Sequence, residues 1–405
     1  MKKLLLLLMV AAIAATTFAR NDYEDLKLFN EVMSQIETNY VEEKSVTVLT
    51  DGAINGMVQT LDPFSQYMKP DAATMMESET QGHFGGLGIR ITIRDKYLTV
   101  ITPLPGTPAF REGILPDDKI IKIEGESTEG ITLMDAVTKL RGKPGTKVII
   151  TVARNKEIKD ITITREDIKI ESVPPDNSKM LTSAVGYIQI TEFTATTADD
   201  FARAYAELET KGMKALLLDL RNNPGGLLTS AVDVSKHFLE KDQLVVYTKG
   251  RRKESDFKFF NDKTLHEKIP LIVLVNRGSA SGSEIVAGAV KDWNRGLLLG
   301  EKTFGKGSVQ SLIGLSDGSK LRLTTAKYYT PSGVCIHDKG IEPDIKISIS
   351  QEDQIKLMKQ SEVIYNLTEE EMKKKEAEKI EDAQIERAKE ILLAELKLSG
   401  GLPSK

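Results

Sequence analysis

At 405 residues, of which 40% are hydrophobic, the chain has room for two or three domains with cores of useful size. Its 55 basic and 59 acidic residues give a formal charge of −4; without Lys2 and Lys3 the basic count is 53 and the charge −6, which argues against nucleic acid as a partner. Cys335 is the only cysteine, so no intramolecular disulfide can form, and no cluster of His, Cys and acidic residues has metal-ligand spacing, so neither a metal nor an organic cofactor is implied.

In chain order, Met1-Lys2-Lys3 and the apolar run Leu4 to Ala15 precede Thr17-Phe18-Ala19, a tolerable small-residue cleavage site. This reads as a secretory signal over 1–19. The run is short for a membrane span, and the alternative is an uncleaved anchor that keeps the protein at a membrane. A disulfide-free exported protein suits the periplasm or cell envelope. From 20 to 80, Leu26, Phe29, Val32, Met33 and Ile36 recur at helical spacing, and Asp51 to Leu61 repeats the pattern. A helical N-terminal region is predicted.

Between 84 and 164 the texture changes to short strands with glycine turns. Gly85, Gly86 and Gly88 are by themselves no more than hairpin or bulge glycines, and Arg141 no more than a solvated loop cation. Taken in order, however, Phe84-Gly-Gly-Leu-Gly-Ile89, Pro108-Ala109, Glu112-Gly-Ile-Leu-Pro-Asp-Asp-Lys-Ile120, Ile123-Glu-Gly125 and Leu140-Arg-Gly-Lys-Pro-Gly-Thr146 resemble a PDZ domain of the bacterial protease type. That resemblance implies a groove in which a C-terminal peptide adds as a strand and its carboxylate sits in a nest made by Gly86, Leu87, Gly88 and Ile89. It also implies that Arg141 links the position of this domain to an active site.

Residues 165–350 alternate strands with helices, which predicts an α/β layer. Leu216 to Leu220 reads as a strand that turns through Asn222-Asn-Pro-Gly-Gly226 into a helix from about Leu227. Glycines there could expose N–H donors of Gly225 or Gly226 as an oxyanion hole, although an ordinary strand–turn–helix link would read the same way. Leu271 to Val275 is a second apolar strand, followed by Arg277-Gly-Ser-Ala-Ser-Gly-Ser-Glu284 and a helix over Glu284 to Val290. Ser281 thus lies at a strand-to-helix corner, where a helix dipole and backbone donors such as the Gly282 N–H suit a nucleophile. The same Ser281 and Glu284 form a capping box, which needs no chemistry, and context has to decide between the two. The four histidines (His83, His237, His266, His337) sit in contexts without triad logic, whereas Lys306 lies between two glycines in Gly305-Lys-Gly-Ser-Val-Gln310. A serine–lysine dyad follows. A lysine acts as a general base when burial pulls its pKa toward neutrality, and the Gln310 amide could bond that amine without charging it. From 351 to 405 a charged helical run, Glu369 to Asp382, reads as a solvated face. The apolar stripe Ile385, Ala388, Ile391, Leu392 and Leu396 should dock on the core or on a partner subunit.

Asp219-Leu-Arg-Asn-Asn-Pro-Gly-Gly-Leu227, Gly278-Ser-Ala-Ser-Gly-Ser-Glu-Ile285 and Gly305-Lys-Gly-Ser-Val-Gln310 resemble, in order and spacing, the carboxyl-terminal processing peptidases, tail-specific serine proteases of the S41 family found in bacterial envelopes and chloroplasts. The resemblance implies a crotonase- and Clp-protease-like ββα catalytic core with an inserted β-rich PDZ domain and helical N- and C-terminal regions. It implies Ser281 as nucleophile, Lys306 as base and Gln310 as the residue that orients it. Gly282 stands where the family often has alanine, and its N–H serves equally. The implied partners are proteins or peptides with free C-termini. Head helices that pair subunits imply a homodimer or larger homo-oligomer, and an adaptor protein is left open. Two rivals are a non-catalytic PDZ scaffold or chaperone on a degenerate protease core, and a crotonase-like acyl-CoA enzyme suggested by the glycine turn alone.

Overall fold

The computed structural model describes residues 23–400 except 95, 105, 116, 132, 155, 156, 265–267, 351, 354, 355, 358, 359 and 361–378. The expected signal over 1–19 and most of the charged run after 368 lie outside the described residues. The chain divides into two units, Met1–Lys69 with Ser311–Thr324, and Pro70–Gln310 with Thr325–Lys405.

In the first unit a helix covers 23–39 and another spans Val46–Gln59. The second starts five residues before the expected Asp51 because the Ser45 hydroxyl accepts the Val48 N–H and caps it. The strand Gln66–Met68 pairs antiparallel with Lys320 to Arg322. Leu26, Phe29, Val32 and Ile36 are all exposed, so the apolar stripe of the first helix is uncovered in the single chain.

The second unit is built on a six-stranded sheet. Ser178–Met180 pairs antiparallel with Val185–Gln189, and then Ala215–Asp219, Leu271–Val275, Leu297–Gly300 and Ile345–Lys346 follow in parallel. The central strands are apolar at every position because both faces are covered. Leu216, Leu218, Val273 and Val275 pack with Phe201, Val232 and Val286, from the helices Thr197–Thr210, Leu228–Ser235 and Gly282–Asp292. Leu217, Ile272 and Leu274 point the other way, against Ala388, Leu392 and Leu396 of the helix Ala383–Leu398. The C-terminal stripe therefore docks on the chain's own core. Among the described residues no helix is long and apolar enough to cross a membrane.

Inserted before this sheet is a β-rich domain with its own core of Leu98, Val100, Ile120, Ile150 and Ile163. Its strands run in the order Ile89–Arg94, Tyr97–Pro103, Lys119–Ile123, Lys147–Arg154, Glu157–Thr164, accompanied by the helix Leu133–Leu140. The chain passes into and out of it along one antiparallel ribbon, His83–Gly86 against Glu166–Lys169. Gly142 donates to the Gly85 carbonyl at 3.1 Å, so tightly that a Cβ on Gly85 would lie 2.0 Å from the Gly142 oxygen.

Candidate active site

The two glycine-rich turns at the sheet's C-terminal edge are laced together by side chains. Asn223 uses every polar group: its amide nitrogen donates to the Ile190 carbonyl at 2.9 Å, its Oδ1 accepts the Gly225 N–H at 2.8 Å, and its carbonyl accepts the Ala280 N–H at 3.0 Å and the Ser283 hydroxyl at 2.9 Å. Asn276 and Asn222 exchange bonds across the same gap, Asn276 Oδ1 taking the Asn222 N–H and Asn276 Nδ2 donating to Asn222 Oδ1, both at 2.9 Å. The turns touch where Gly225 faces Ser281. A Cβ on Gly225 would stand 2.6 Å from the Ser281 Cβ and 2.7 Å from the Gly282 nitrogen, and its φ of 98° is glycine's region in any case.

This geometry changes the part expected of Gly225. Its N–H already belongs to Asn223, so its contribution is close approach and not an oxyanion bond. Gly226, exposed beside it, and the Gly282 N–H at the start of the helix are the donors left to the oxyanion reading. Phe193 fixes Gly226: its N–H donates to the Gly225 carbonyl at 2.8 Å, its carbonyl accepts the Leu227 N–H at 2.7 Å, and its ring lies against Gly282.

Ser281 is 7% exposed and has φ 52°, ψ −109°, not the extended backbone of an ordinary helix cap. Glu284 nevertheless performs its half of the capping box and does more. Its Oε2 accepts the Ser281 N–H and the Lys306 N–H, each at 2.9 Å, so those two nitrogens are no further apart than twice that distance. Its Oε1 accepts the Thr303 hydroxyl at 2.5 Å and the Gly305 N–H at 2.8 Å. Burial holds this carboxyl above the ordinary value against the pull of its four donors. Lys306 is half-buried in the loop that follows, and Gln310, also half-buried, donates to the Ser308 hydroxyl at 2.9 Å. The loop packs on the segment after Ile336: Asp338 N–H donates to the Gly305 carbonyl at 2.9 Å. Sequence reasoning took Glu284 only as a cap and passed over Asn223 and Phe193.

Behind the Asn222–Gly226 turn lies a buried ionic cluster. Arg221 makes a fork on Asp219, with Nη2 to Oδ2 at 2.6 Å, and reaches Asp382 at 2.8 Å and Gln384 at 2.9 Å with Nη1. Tyr187 donates to Asp219 at 2.9 Å. Asp382 also caps the helix Ala383–Leu398 by accepting from Gln384 and Ile385.

In the β-rich domain, Leu87 and Gly88 are buried, and their carbonyls accept the Ala109 and Leu104 N–H groups at 2.9 and 2.8 Å. These bonds, with Thr107 on the Gly88 carbonyl, fix the Gly86–Ile89 segment without using its own amides. Arg141 is no solvated loop cation. It stacks on Phe84 at 4.5 Å, pairs with Glu79, and faces the half-buried Glu192, the residue before Phe193. Burial lowers the pKa of Arg141 and raises that of Glu192, each partly offset by the other's charge.

Residues 184–347 match the family model for peptidase family S41, 76–153 that for the PDZ domain, and 10–72 that for the N-terminal domain of the activating protease CtpB. The carboxy-terminal-processing protease of Bartonella bacilliformis is 41% identical over 350 residues, 84% of this chain and 79% of that protein. The chain belongs to the carboxy-terminal processing proteases of peptidase family S41. Another relative of this S41 peptidase is CtpB of Bacillus subtilis, 38% identical over 341 residues, 83% of this chain and 71% of the other. A solved structure of a photosystem II D1 C-terminal processing protease is 30% identical, covers 79% of this chain and 92% of its own, and has a TM-score of 0.47. The S41 peptidase thus carries a PDZ domain, a mixed α/β catalytic core and helical terminal regions, and its family makes it a serine protease.

Proposed function

We propose that this S41 peptidase is an exported endopeptidase that takes a protein's free C-terminus in its PDZ groove and cleaves upstream of it with a Ser281–Lys306 dyad. The observation that carries this reading is the shared Glu284 oxygen, which holds the backbones of both residues beside the Gly225 turn. Ser281 Oγ attacks the scissile carbonyl while Lys306 Nζ takes its proton. The N–H groups of Gly226 and Gly282 receive the oxyanion, and the lysine returns the proton to the leaving amine. Water then repeats the sequence on the acyl-enzyme. Gln310 keeps the amine oriented without charging it.

Two further parts belong to the same reading. The uncovered stripe of the 23–39 helix pairs subunits in a homodimer or larger homo-oligomer, and the N-terminal signal delivers the protein to the periplasm or cell envelope. Arg141, through Glu192 and Phe193, lets the PDZ domain bias the oxyanion turn, with or without an adaptor. A fluorophosphonate probe, which a serine nucleophile attacks with loss of fluoride, should label the protein but not its Ser281→Ala variant. Equal labelling of the two would remove Ser281 from the mechanism and leave the scaffold reading in its place.

A further inference from the structure

The span 191–195 carries Phe193 and hangs between the two strands of the ribbon that leads into and out of the PDZ domain. On the outgoing side the Thr191 N–H donates to the Ser172 carbonyl at 2.8 Å, and on the incoming side the Ala195 N–H donates to the Thr80 carbonyl at 3.0 Å. Ile170 N–H joins the two sides at the Gly82 carbonyl, 2.8 Å away, and a Cβ on Gly82 would stand 3.1 Å from the Thr194 hydroxyl. Phe193, in the middle of the span, holds the Gly225–Leu227 turn by two backbone bonds and lays its ring against Gly282.

Three hydroxyls out of reach of bulk water fix this span: Ser172, Thr194 and Thr197 are 0%, 1% and 0% exposed. Thr197 Oγ1 accepts the Thr194 N–H at 2.8 Å, lies 3.2 Å from Thr194 Oγ1 and donates to Ser172 Oγ at 2.7 Å. The bond from the Thr194 N–H alone would be a local turn at the start of the helix Thr197–Thr210. The bond to Ser172 reaches back 25 positions to the ribbon, and no turn requires it. Lys169 ties the same ribbon to the same helix, 3.2 Å from Asp200. Removing the Thr197 oxygen takes an acceptor from a buried N–H and a donor from a buried hydroxyl, losses that a dry site does not make good with water.

We propose that Thr197 is a positioning residue of the peptidase, whose hydroxyl acts through Thr194 and Phe193 to aim the N–H groups of Gly226 and Gly282 at the oxyanion. This rests on the reading that those two groups receive the oxyanion formed when Ser281 attacks. Thr197 itself touches no substrate. Without its hydroxyl the 191–195 span relaxes, Phe193 shifts and both donors leave their line, whereas the PDZ groove that takes the substrate's C-terminus is untouched. The loss therefore falls on the transition state and not on ground-state binding.

Thr197→Val keeps the shape and removes the hydroxyl; Thr197→Ser keeps the hydroxyl. In preparations with wild-type far-UV circular dichroism, Thr197→Val should lower kcat for a peptide about tenfold or more with KM within about threefold, and should weaken inhibition by a peptide aldehyde to a similar degree. Ser281 Oγ adds to the aldehyde carbon as its proton passes to Lys306 Nζ, and the former carbonyl oxygen then sits between the two donors. Thr197→Ser should keep both quantities within about threefold of wild type. A merely structural defect would reduce the number of active molecules and so lower kcat while leaving the aldehyde's inhibition constant alone. A smaller fall in kcat, a loss carried by KM, an unchanged inhibition constant, or a serine variant as impaired as the valine one would overturn the proposal. Should Thr197→Val fail to fold, Ser172→Ala removes only the bond across to the ribbon; kcat and aldehyde affinity should then fall together about threefold or more, and a smaller fall overturns the proposal. Ser281→Ala separates the two readings. Fluorophosphonate labelling that survives it defeats the nucleophile and Thr197 together, whereas labelling lost in Ser281→Ala with normal turnover in Thr197→Val defeats Thr197 alone.

Discussion

Replacing Glu284 by glutamine isolates the one side chain that holds both ends of the proposed dyad. The carboxylate accepts four bonds from buried donors, two on each oxygen. An amide keeps one accepting oxygen and turns the other into a donor. With its oxygen toward Ser281 and Lys306, the amide nitrogen meets Thr303, whose hydroxyl can turn to accept, and Gly305, whose N–H cannot. One buried N–H is then left without an acceptor, at a cost of about 1–3 kcal/mol, from which the relief of an uncomfortable buried charge subtracts. In a domain of this size that corresponds to a melting temperature lower by roughly 2–10 °C. The flipped amide would strand both the Ser281 and the Lys306 N–H and is worse. In either orientation the Lys306 loop shifts against Ser281, and a misplacement of about 1 Å is worth about a hundredfold in rate. Thermal unfolding and fluorophosphonate labelling of the same preparation measure the two effects. A variant that melts within 1 °C of wild type and labels within threefold of it would refute this role for Glu284.

Three other outcomes are expected. Lys306→Arg should fold yet lose turnover, because a guanidinium does not deprotonate in a protein; peptidase activity within about tenfold of wild type would sink the dyad. A C-terminally amidated peptide should bind the isolated PDZ domain, about Phe84 to Thr164, at least tenfold more weakly than the free acid, a charge-assisted contact being worth about 1.5–3 kcal/mol, and equal affinities by calorimetry would take the Gly86–Ile89 segment out of recognition. Arg141→Ala should lower turnover by about 1–3 kcal/mol in activation free energy with peptide affinity nearly unchanged, since it breaks the contacts with Glu79 and Phe84, removes the attraction to Glu192 and leaves the groove alone; a loss proportional to lost binding would make Arg141 an ordinary part of the PDZ domain.

The sheet was legible because its strands are apolar on both faces, and no amphipathic pattern competes with that at Leu216 or Ile272. The corner at Ser281 was legible because glycine and serine between an apolar strand and a helix have few other uses. What joins the corner to the Lys306 loop was not, for Glu284 reaches Thr303, Gly305 and Lys306 across 19 to 22 positions, and sequence spacing carries no sign of such a bond. The misjudged role of Gly225 has the same origin. A glycine required for close approach and one required for its N–H look identical in sequence, and only the Asn223 side chain distinguishes them. The early start of the Val46–Gln59 helix was legible in principle from Ser45, whose capping pattern was passed over in favour of apolar spacing.

The bond from Arg221 to Asp382 spans 161 positions and has a consequence for the order in which the enzyme becomes whole. During synthesis, Asp219 and Arg221 emerge long before Asp382 and Gln384, so the strand behind the Asn222–Gly226 turn holds a guanidinium whose later partners do not yet exist. Such a contact closes late, because its loop entropy is offset only once the helix Ala383–Leu398 can lay its apolar stripe on the sheet. A nascent chain short of Asp382 would therefore carry Ser281 and Lys306 without a finished turn beside them. The turn beside Ser281 is completed only once the helix Ala383–Leu398 has been made and docked.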